Sequence, residues 1–152
     1  MAYLTTAEVT TRLTGSPYQA EWVGLTPEQQ TYGLTKATRL VNQLMFQGFK
    51  VDFEQPDQFP RYVQYGACLE TVETPEDILQ GLAIESMYQG ANKTQDTVLL
   101  QAKQNISEEW EADTKVIYNL TAKEGAQYLS LNMKSIEACE LIYPYIAKTG
   151  GY

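Results

Sequence analysis

Histidine is absent from the 152-residue chain, and cations are scarce. Histidine is the commonest general base and the commonest metal ligand, so its absence removes the simplest routes to acid–base catalysis and to a metal centre. The 19 Asp and Glu outnumber the 11 Lys and Arg, the net charge is −8, and no stretch gathers the cations into a patch. Because nucleic acids are bound mainly by neutralising phosphates, this balance argues against nucleic-acid binding as the main function. An acidic wall would still let DNA slide past.

Cysteine and long apolar runs are scarce as well. Cys68 and Cys139 are too far apart for a short metal-binding or redox motif, and we expect both to be free, buried residues of a cytoplasmic protein. No stretch approaches the ~20 apolar residues of a membrane span. The N-terminus lacks the basic region and apolar run of a signal peptide. We therefore expect no metal, no cofactor and no membrane partner.

The composition is that of one globular domain, with 43% hydrophobic and 20% charged residues. Tyrosine is abundant, with 11 copies beside 4 Phe and 2 Trp. Tyrosine is suited to half-buried positions, because its ring is apolar and its hydroxyl is polar. The high tyrosine content therefore favours contact surfaces, although a tyrosine-rich core explains it equally well. We predict a single domain over residues 1–148 and a flexible tail over 149–152.

Two capping boxes predict helices in the first third of the chain. Thr5 with Glu8 begins a short helix, and Thr26 with Gln29 begins a longer one that Gly48 ends. Apolar residues three and four apart predict the buried stripe of the longer helix. This stripe comprises Leu34, Ala37, Leu40, Val41, Leu44 and Met45.

Two further helices are predicted downstream. Thr74 caps a helix that ends near Gly90, and a last helix runs from Lys134 to about Ala147, with Pro144 loosening its final turns. The expected buried residues of the first are Ile78, Leu79, Leu82, Ala83, Ser86 and Met87, and those of the second are Ile136, Cys139, Ile142, Tyr143 and Ile146.

The segments between these helices have no helical period. Residues 49–74 contain two prolines and several aromatics, which predicts a long ordered loop packed on the helices, with a short extended piece at 61–65. In the region 97–118, β-compatible runs at 98–100 and 115–118 flank an acidic stretch, which predicts a β-hairpin or a projecting loop. The predicted fold is therefore mainly α, a small bundle of about four helices with long ordered loops.

One cluster offers an enzymatic interpretation. Glu108, Glu109, Glu111 and Asp113 surround Trp110, and paired carboxylates can act as an acid and a base or bind a cation. They fall on a predicted solvent-facing loop without calcium-loop spacing, which favours a solvated acidic loop. The chain has no Gly-rich phosphate cradle, nucleophile elbow or Cys-x-x-Cys motif. We therefore predict that the protein is not an enzyme and has no catalytic residues.

The stretch "QFPRYVQY" at positions 58–65 places Arg61 among aromatics. In one interpretation Phe59 and the following proline fill the helical core, and the guanidinium stacks on a tyrosine or pairs with an acid such as Glu54 or Asp57. In the other, Arg61 contacts a second chain at the rim of an interface, where Arg and Tyr are enriched. The residue types alone do not decide between these two interpretations of Arg61.

Several segments follow one another in a characteristic order: "YLTTAEV", Trp22 and Leu25 with "LTKATRLVNQL", "QFPR", Pro75 with the apolar helix after it, "ISEEW" followed by "VIY", and "SIEACELIYPYI". This order resembles the head-tail adaptor (connector, or head-completion) proteins of tailed bacteriophages, including a DnaT-like single-stranded-DNA-binding subgroup. The chain departs from the family pattern at Trp110 and Glu111, where a glycine is common, and nothing matches at 65–74.

The resemblance implies a mainly helical protein that forms a ring of twelve copies beneath the portal of a filled capsid. Such a ring would extend the DNA channel for double-stranded DNA and provide a platform for further neck or tail proteins. The protein would be made in the bacterial cytoplasm and reside at the head-tail junction of the virion. The alternative is a single-stranded nucleic-acid-binding module, for which the chain lacks a basic groove. The candidate interface residues are Phe59, Arg61, Tyr62, Trp110, Tyr143, Tyr145 and Tyr152.

Overall fold

A computed structural model of the chain describes residues 3–92, 108–111, 114–117 and 133–147. The helices are α1 (Thr6–Leu13), α2 (Gln19–Gly24), α3 (Pro27–Gln43), α4 (Glu76–Gly90) and α5 (Ile136–Ile142). The strands are β1 (Phe49–Lys50), β2 (Arg61–Tyr65), β3 (Cys68–Val72), β4 (Glu108–Glu111) and β5 (Thr114–Ile117). The predicted class agrees in outline, since helices dominate the described residues, but a small antiparallel sheet joins them.

Both predicted capping boxes are confirmed. The Thr5 hydroxyl accepts the Glu8 backbone N–H at 3.3 Å, and the Glu8 carboxylate accepts the Thr5 backbone N–H at 2.6 Å. Thr26 and Gln29 make the same reciprocal pair at the start of α3. These contacts satisfy N–H groups that a helix leaves unpaired in its first turn, which is why so local a signal predicted the helix starts correctly.

Helix α4 forms the centre of the fold. Ile78, Leu82 and Met87 are fully buried, and the helix packs against α1, α3 and α5. The prediction that Thr74 caps it is wrong, because the extended Pro75 holds the N-cap position and α4 begins at Glu76. Its predicted end at Gly90 is confirmed.

Helices α3 and α4 cross at very close range. A Cβ placed on Gly33 of α3 would lie 2.2 Å from the carbonyl oxygen of Ser86 in α4. No side chain fits at that distance, so only glycine lets the two backbones approach in this way.

Helix α3 ends earlier than predicted, at Gln43 rather than at Gly48. Leu44 is already extended, and Phe46 enters the core, where it forms an isolated β-bridge with Ile146. Met45, predicted to lie on the buried stripe, is therefore 72% exposed. Leu34, Ala37 and Val41 of the stripe are buried as predicted, and Leu40 and Leu44 are partly buried.

The region predicted as a long loop is a three-stranded antiparallel sheet in the order β1-β2-β3. The extended piece at Arg61–Tyr65 is confirmed as β2, and β1 and β3 are additions. Tyr65 pairs with Cys68 across a two-residue turn that begins with Gly66 at φ 61°, a conformation typical of tight hairpins. The Phe59–Pro60 peptide bond before β2 is cis.

Strands β4 and β5 form a separate antiparallel hairpin, in which Trp110 lies opposite Lys115 and Glu109 opposite Val116. The predicted strand at 115–118 overlaps β5, whereas the one at 98–100 lies outside the described residues. A hairpin in this region is thus present, with its first strand at Glu108–Glu111.

The C-terminal helix is shorter than predicted. Ser135 caps α5 by accepting the Ala138 N–H at 3.2 Å, and the helix ends at Ile142. A 3-10 turn follows at Tyr143–Tyr145, so Pro144 loosens the end of the helix as expected. Cys139 is free and buried as predicted, but Cys68 is exposed, because it begins the outer strand β3.

Candidate docking surface

Exposed apolar side chains are concentrated around the three-stranded sheet. Six of the eight large hydrophobic side chains that are exposed among the described residues lie between positions 45 and 69. Phe53 is 88% exposed and Leu69 is 55% exposed. Soluble monomers seldom expose several large apolar groups in one region, and such patches mark binding sites. We define the sheet surface as the exposed side chains of Met45, Phe49, Val51, Phe53 and Leu69. Tyr65 lies on the other face of β2, which also carries Arg61.

The strand register places apolar residues on one face of the sheet. Phe49 pairs with Tyr62, and Gln64 pairs with Leu69. Because successive residues of a strand alternate between faces, Phe49, Tyr62 and Leu69 share the same face. The Phe49 and Tyr62 rings lie 5.5 Å apart. Strand β3 is an edge of this sheet, and an edge strand offers unpaired backbone groups to a partner.

From the opposite face, Arg61 secures β2 to the segment between α3 and β1 and to the loop that precedes β2. It is only 6% exposed, and its five N–H groups are matched by five neutral oxygens. These acceptors are the carbonyls of Phe46 (3.1 Å), Gln47 (2.9 Å), Gly48 (2.6 Å) and Gln58 (3.2 Å) and the side-chain oxygen of Gln58 (2.8 Å). Burial lowers the pKa of the Arg61 guanidinium from its usual value.

A second polar layer fixes the chain just before β2. The Tyr3 hydroxyl donates to the side-chain oxygen of Asn42 at 2.8 Å and accepts the Gln58 backbone N–H at 2.7 Å. Gln58 in turn donates from its side-chain amide to the Asn42 carbonyl at 2.8 Å. Burial raises the pKa of Tyr3 to about 12, so the hydroxyl keeps its proton and remains a donor. These hydrogen bonds therefore anchor the sheet that carries the sheet surface.

Two residues predicted to form an interface face the interior of the chain. Phe59 is buried and packs edge-on against Phe46, with ring centroids 5.0 Å apart. This confirms that Phe59 anchors the region on the core. Arg61 is saturated by carbonyl oxygens of its own chain, where the sequence led us to expect a carboxylate or a neighbouring subunit. Neither side chain is open to a partner in this conformation.

The other predicted interface residues are more dispersed. Tyr62 is half-buried on the apolar face of the sheet, and Tyr143 and Tyr145 are partly buried. The Tyr145 hydroxyl donates to Asp77 at 2.7 Å. Trp110 is placed in β4, without a described side chain, and Tyr152 lies outside the described residues. Their role as contacts stays a prediction.

Glu85 is a buried acid that the sequence analysis missed. Its side chain is fully buried in α4 and accepts the backbone N–H groups of Lys134 (2.9 Å) and Ser135 (3.0 Å). It also accepts the side-chain amide of Gln89 at 2.6 Å. Burial raises the pKa of Glu85, and these hydrogen bonds oppose the increase. An acid in a helical pattern suggests solvent exposure, so only the fold reveals this link between α4 and α5.

Three of the six Lys and Arg side chains that the structure describes line one cavity of about 480 Å³. Lys36 and Arg39 come from one face of α3, and Lys134 comes from the segment that Glu85 fixes. The Lys134 ammonium donates to the Asn92 side-chain oxygen at 3.3 Å. Elsewhere Arg12 pairs with Glu76, and Lys50 donates to the Gln55 carbonyl at 3.0 Å. We call the site formed by Lys36, Arg39, Asn92 and Lys134 the cation pocket.

Within the described ranges, no group of Cys, Asp and Glu side chains is arranged to hold a metal ion. None of the helices in those ranges has the length and apolar character of a membrane span. Protein-family models, curated proteins and solved structures were each compared with this chain, and none of the three comparisons gave a match.

Proposed function

We propose that the protein is a structural head-tail connector of a tailed phage, a ring-forming adaptor that binds the portal and presents a platform for neck or tail proteins. The sheet surface is the observation that carries this proposal. Large exposed apolar side chains on a firmly anchored sheet suit a protein whose work is binding other proteins. The proposal includes the sequence-based expectation of a small, mainly helical adaptor domain at the neck of the virion.

A closed ring needs two different patches on each subunit, because one patch must fit the other on the neighbouring copy. The sheet surface and the cation pocket are chemically distinct regions, one apolar and one basic, so a subunit can bind the portal through one and contact a neighbouring copy through the other. A net charge of −8 also suits a channel that double-stranded DNA crosses without being held. These features support an adaptor that contacts copies of itself and a portal.

The test is co-sedimentation with the portal protein encoded in the same genome. We expect the purified chain to travel with portal assemblies through a density gradient at micromolar concentration and moderate salt. A genome without a portal gene, or a chain that stays at the top of the gradient, would contradict the proposal. The pelleted chain should be released by competing unlabelled protein, which excludes aggregation.

A single-stranded nucleic-acid-binding module is the second candidate, and the cation pocket is the observation that favours it. Three cations near the exposed Tyr32 could receive phosphates and one stacked base. A groove that binds a single strand normally contacts several phosphates along its backbone, and three cations are too few to neutralise them. Salt-dependent retention of oligo-dT at micromolar protein concentration would decide for this candidate against the adaptor.

A further inference from the structure

The β4–β5 hairpin is an acidic element without a substantial partner among the described helices and strands. Its first strand reads Glu-Glu-Trp-Glu, and among the described helices and strands each strand of the hairpin packs extensively only against the other. An isolated two-stranded hairpin is marginally stable in water, so it gains stability when it packs on another surface. Glu109 and Glu111 are two residues apart in β4 and therefore lie on the same face.

The cation pocket has the opposite charge. Lys36 and Arg39 are three residues apart on α3, so they project from one side of that helix. No hydrogen bond or ion pair joins either of them to another residue in the part of the chain that the structure describes. Lys134 is held in place through the bonds of its backbone N–H to Glu85, at 2.9 Å and 3.1 Å. The pocket is a positive site in an acidic protein.

We propose that the acidic hairpin of one copy docks into the cation pocket of the next copy, and that this contact closes the ring. The inference rests on the proposed adaptor function and adds the contact that joins neighbouring subunits. Two chains of charge −8 repel each other at long range, so a stable contact requires locally opposite charges. The hairpin and the pocket supply them on different parts of each subunit, as a head-to-tail contact requires.

The test uses two charge-reversed forms of the full chain. One is pocket-reversed, Lys36→Glu with Arg39→Glu, and the other is hairpin-reversed, Glu109→Lys with Glu111→Lys. Self-association is measured by sedimentation velocity over a wide concentration range. We expect each form alone to associate about 100-fold more weakly than the wild type, because attractive pairs become repulsive. A 1:1 mixture should recover wild-type association, because each reversed hairpin then meets a reversed pocket.

A matched control carries the same charge change as the hairpin-reversed form at other sites. Glu28→Lys with Glu140→Lys alters two exposed acids on α3 and α5. This control should associate like the wild type and should not rescue the pocket-reversed form. Rescue by the control would show that net charge, rather than docking, determines association, and would overturn the inference.

Three further outcomes would also overturn it. If the mixture fails but all four reversals in one chain restore association, the hairpin occupies the pocket of its own subunit. If pocket reversal abolishes oligo-dT retention while hairpin reversal changes nothing, the pocket binds nucleic acid. A wild type that stays monomeric throughout has no such contact. The adaptor function would survive that last result if portal co-sedimentation succeeds, so the two failures are distinguishable.

Discussion

The buried carboxylate of Glu85 accepts the backbone N–H of Ser135 at 3.0 Å and thereby joins the middle of α4 to the start of α5. Every partner of this carboxylate is a donor. A glutamine at this position would direct an N–H₂ group, which cannot accept a hydrogen bond, at another N–H, whereas both carboxyl oxygens of glutamate can accept even when the group is protonated. Glu85→Gln should therefore lower the free energy of unfolding by about 1–3 kcal/mol. Urea denaturation measures this, and Glu140→Gln, at an exposed acid of α5, should be neutral. Equal stability of the two variants would contradict the account.

The same residue gives the stability of the protein a pH dependence of defined sign. Burial raises the pKa of Glu85 in the folded chain above the ordinary value of 4.5. Its stabilising contribution is therefore complete below pH 4.5 and is lost as the pH rises through the folded-state pKa. The stability difference between the wild type and Glu85→Gln should shrink from about pH 4 towards neutrality. A difference that grows with pH would show that the hydrogen bonds outweigh burial.

The close crossing of α3 and α4 allows no side chain at Gly33. Gly33→Ala should destabilise the protein by about 1–3 kcal/mol, because its Cβ would collide with the Ser86 carbonyl at 2.2 Å. Gly24→Ala is the matched control, since a Cβ there meets nothing within 4 Å. Thermal unfolding should separate the two variants by several degrees. A Gly33→Ala protein as stable as the control would mean that the helices cross differently.

Substitution of Arg61 should change the stability of the fold rather than the affinity for nucleic acid. Arg61→Lys keeps the charge but leaves several buried carbonyls without donors, which should cost about 3 kcal/mol. Arg39→Lys makes the same exchange at an exposed position and should leave stability unchanged. Chemical denaturation compares the two. Arg61→Ala should likewise disturb folding or assembly, and an effect confined to DNA affinity would contradict this role.

The sheet surface should be needed for docking and not for folding. Phe53→Ser with Leu69→Ser removes exposed apolar side chains, so the thermal midpoint should change little. Portal co-sedimentation should fall at least about tenfold, as expected when central apolar contacts are lost. Val23→Ser, at a residue that is 60% exposed on α2, is the control for removing an exposed apolar group elsewhere. Unchanged portal binding of the double variant would place the interface elsewhere.

The features predicted correctly from the sequence are those that depend on near neighbours. The capping pairs Thr5–Glu8 and Thr26–Gln29 lie within single helical turns, so their residue types specify the structure directly. Pro144 likewise loosens the last helix through its own missing N–H. Signals of this kind can be interpreted without knowing which distant residues are in contact.

Two features were missed for different physical reasons. Strand β3 forms because Gly66 turns the chain back on β2, but the turn pair Gly66-Ala67 is not one of the Asn-Gly or Asp-Gly pairs that mark a tight hairpin in a sequence. Glu85 can be buried only because the backbone N–H groups of Lys134 and Ser135, some 50 residues along the chain, donate hydrogen bonds to its carboxylate. Truncation after Asn132 would remove α5, which covers α4 through buried residues such as Ile142. We expect that truncation to unfold the chain.

Electron microscopy of the purified chain, with and without the portal protein from the same genome, tests the central claim most directly. The account predicts rings that bind coaxially to one end of the portal and match its copy number. The Phe53→Ser with Leu69→Ser variant should still form rings but should leave the portal assemblies bare. Monomers alone in both samples, with the portal assemblies left bare, would contradict the adaptor function.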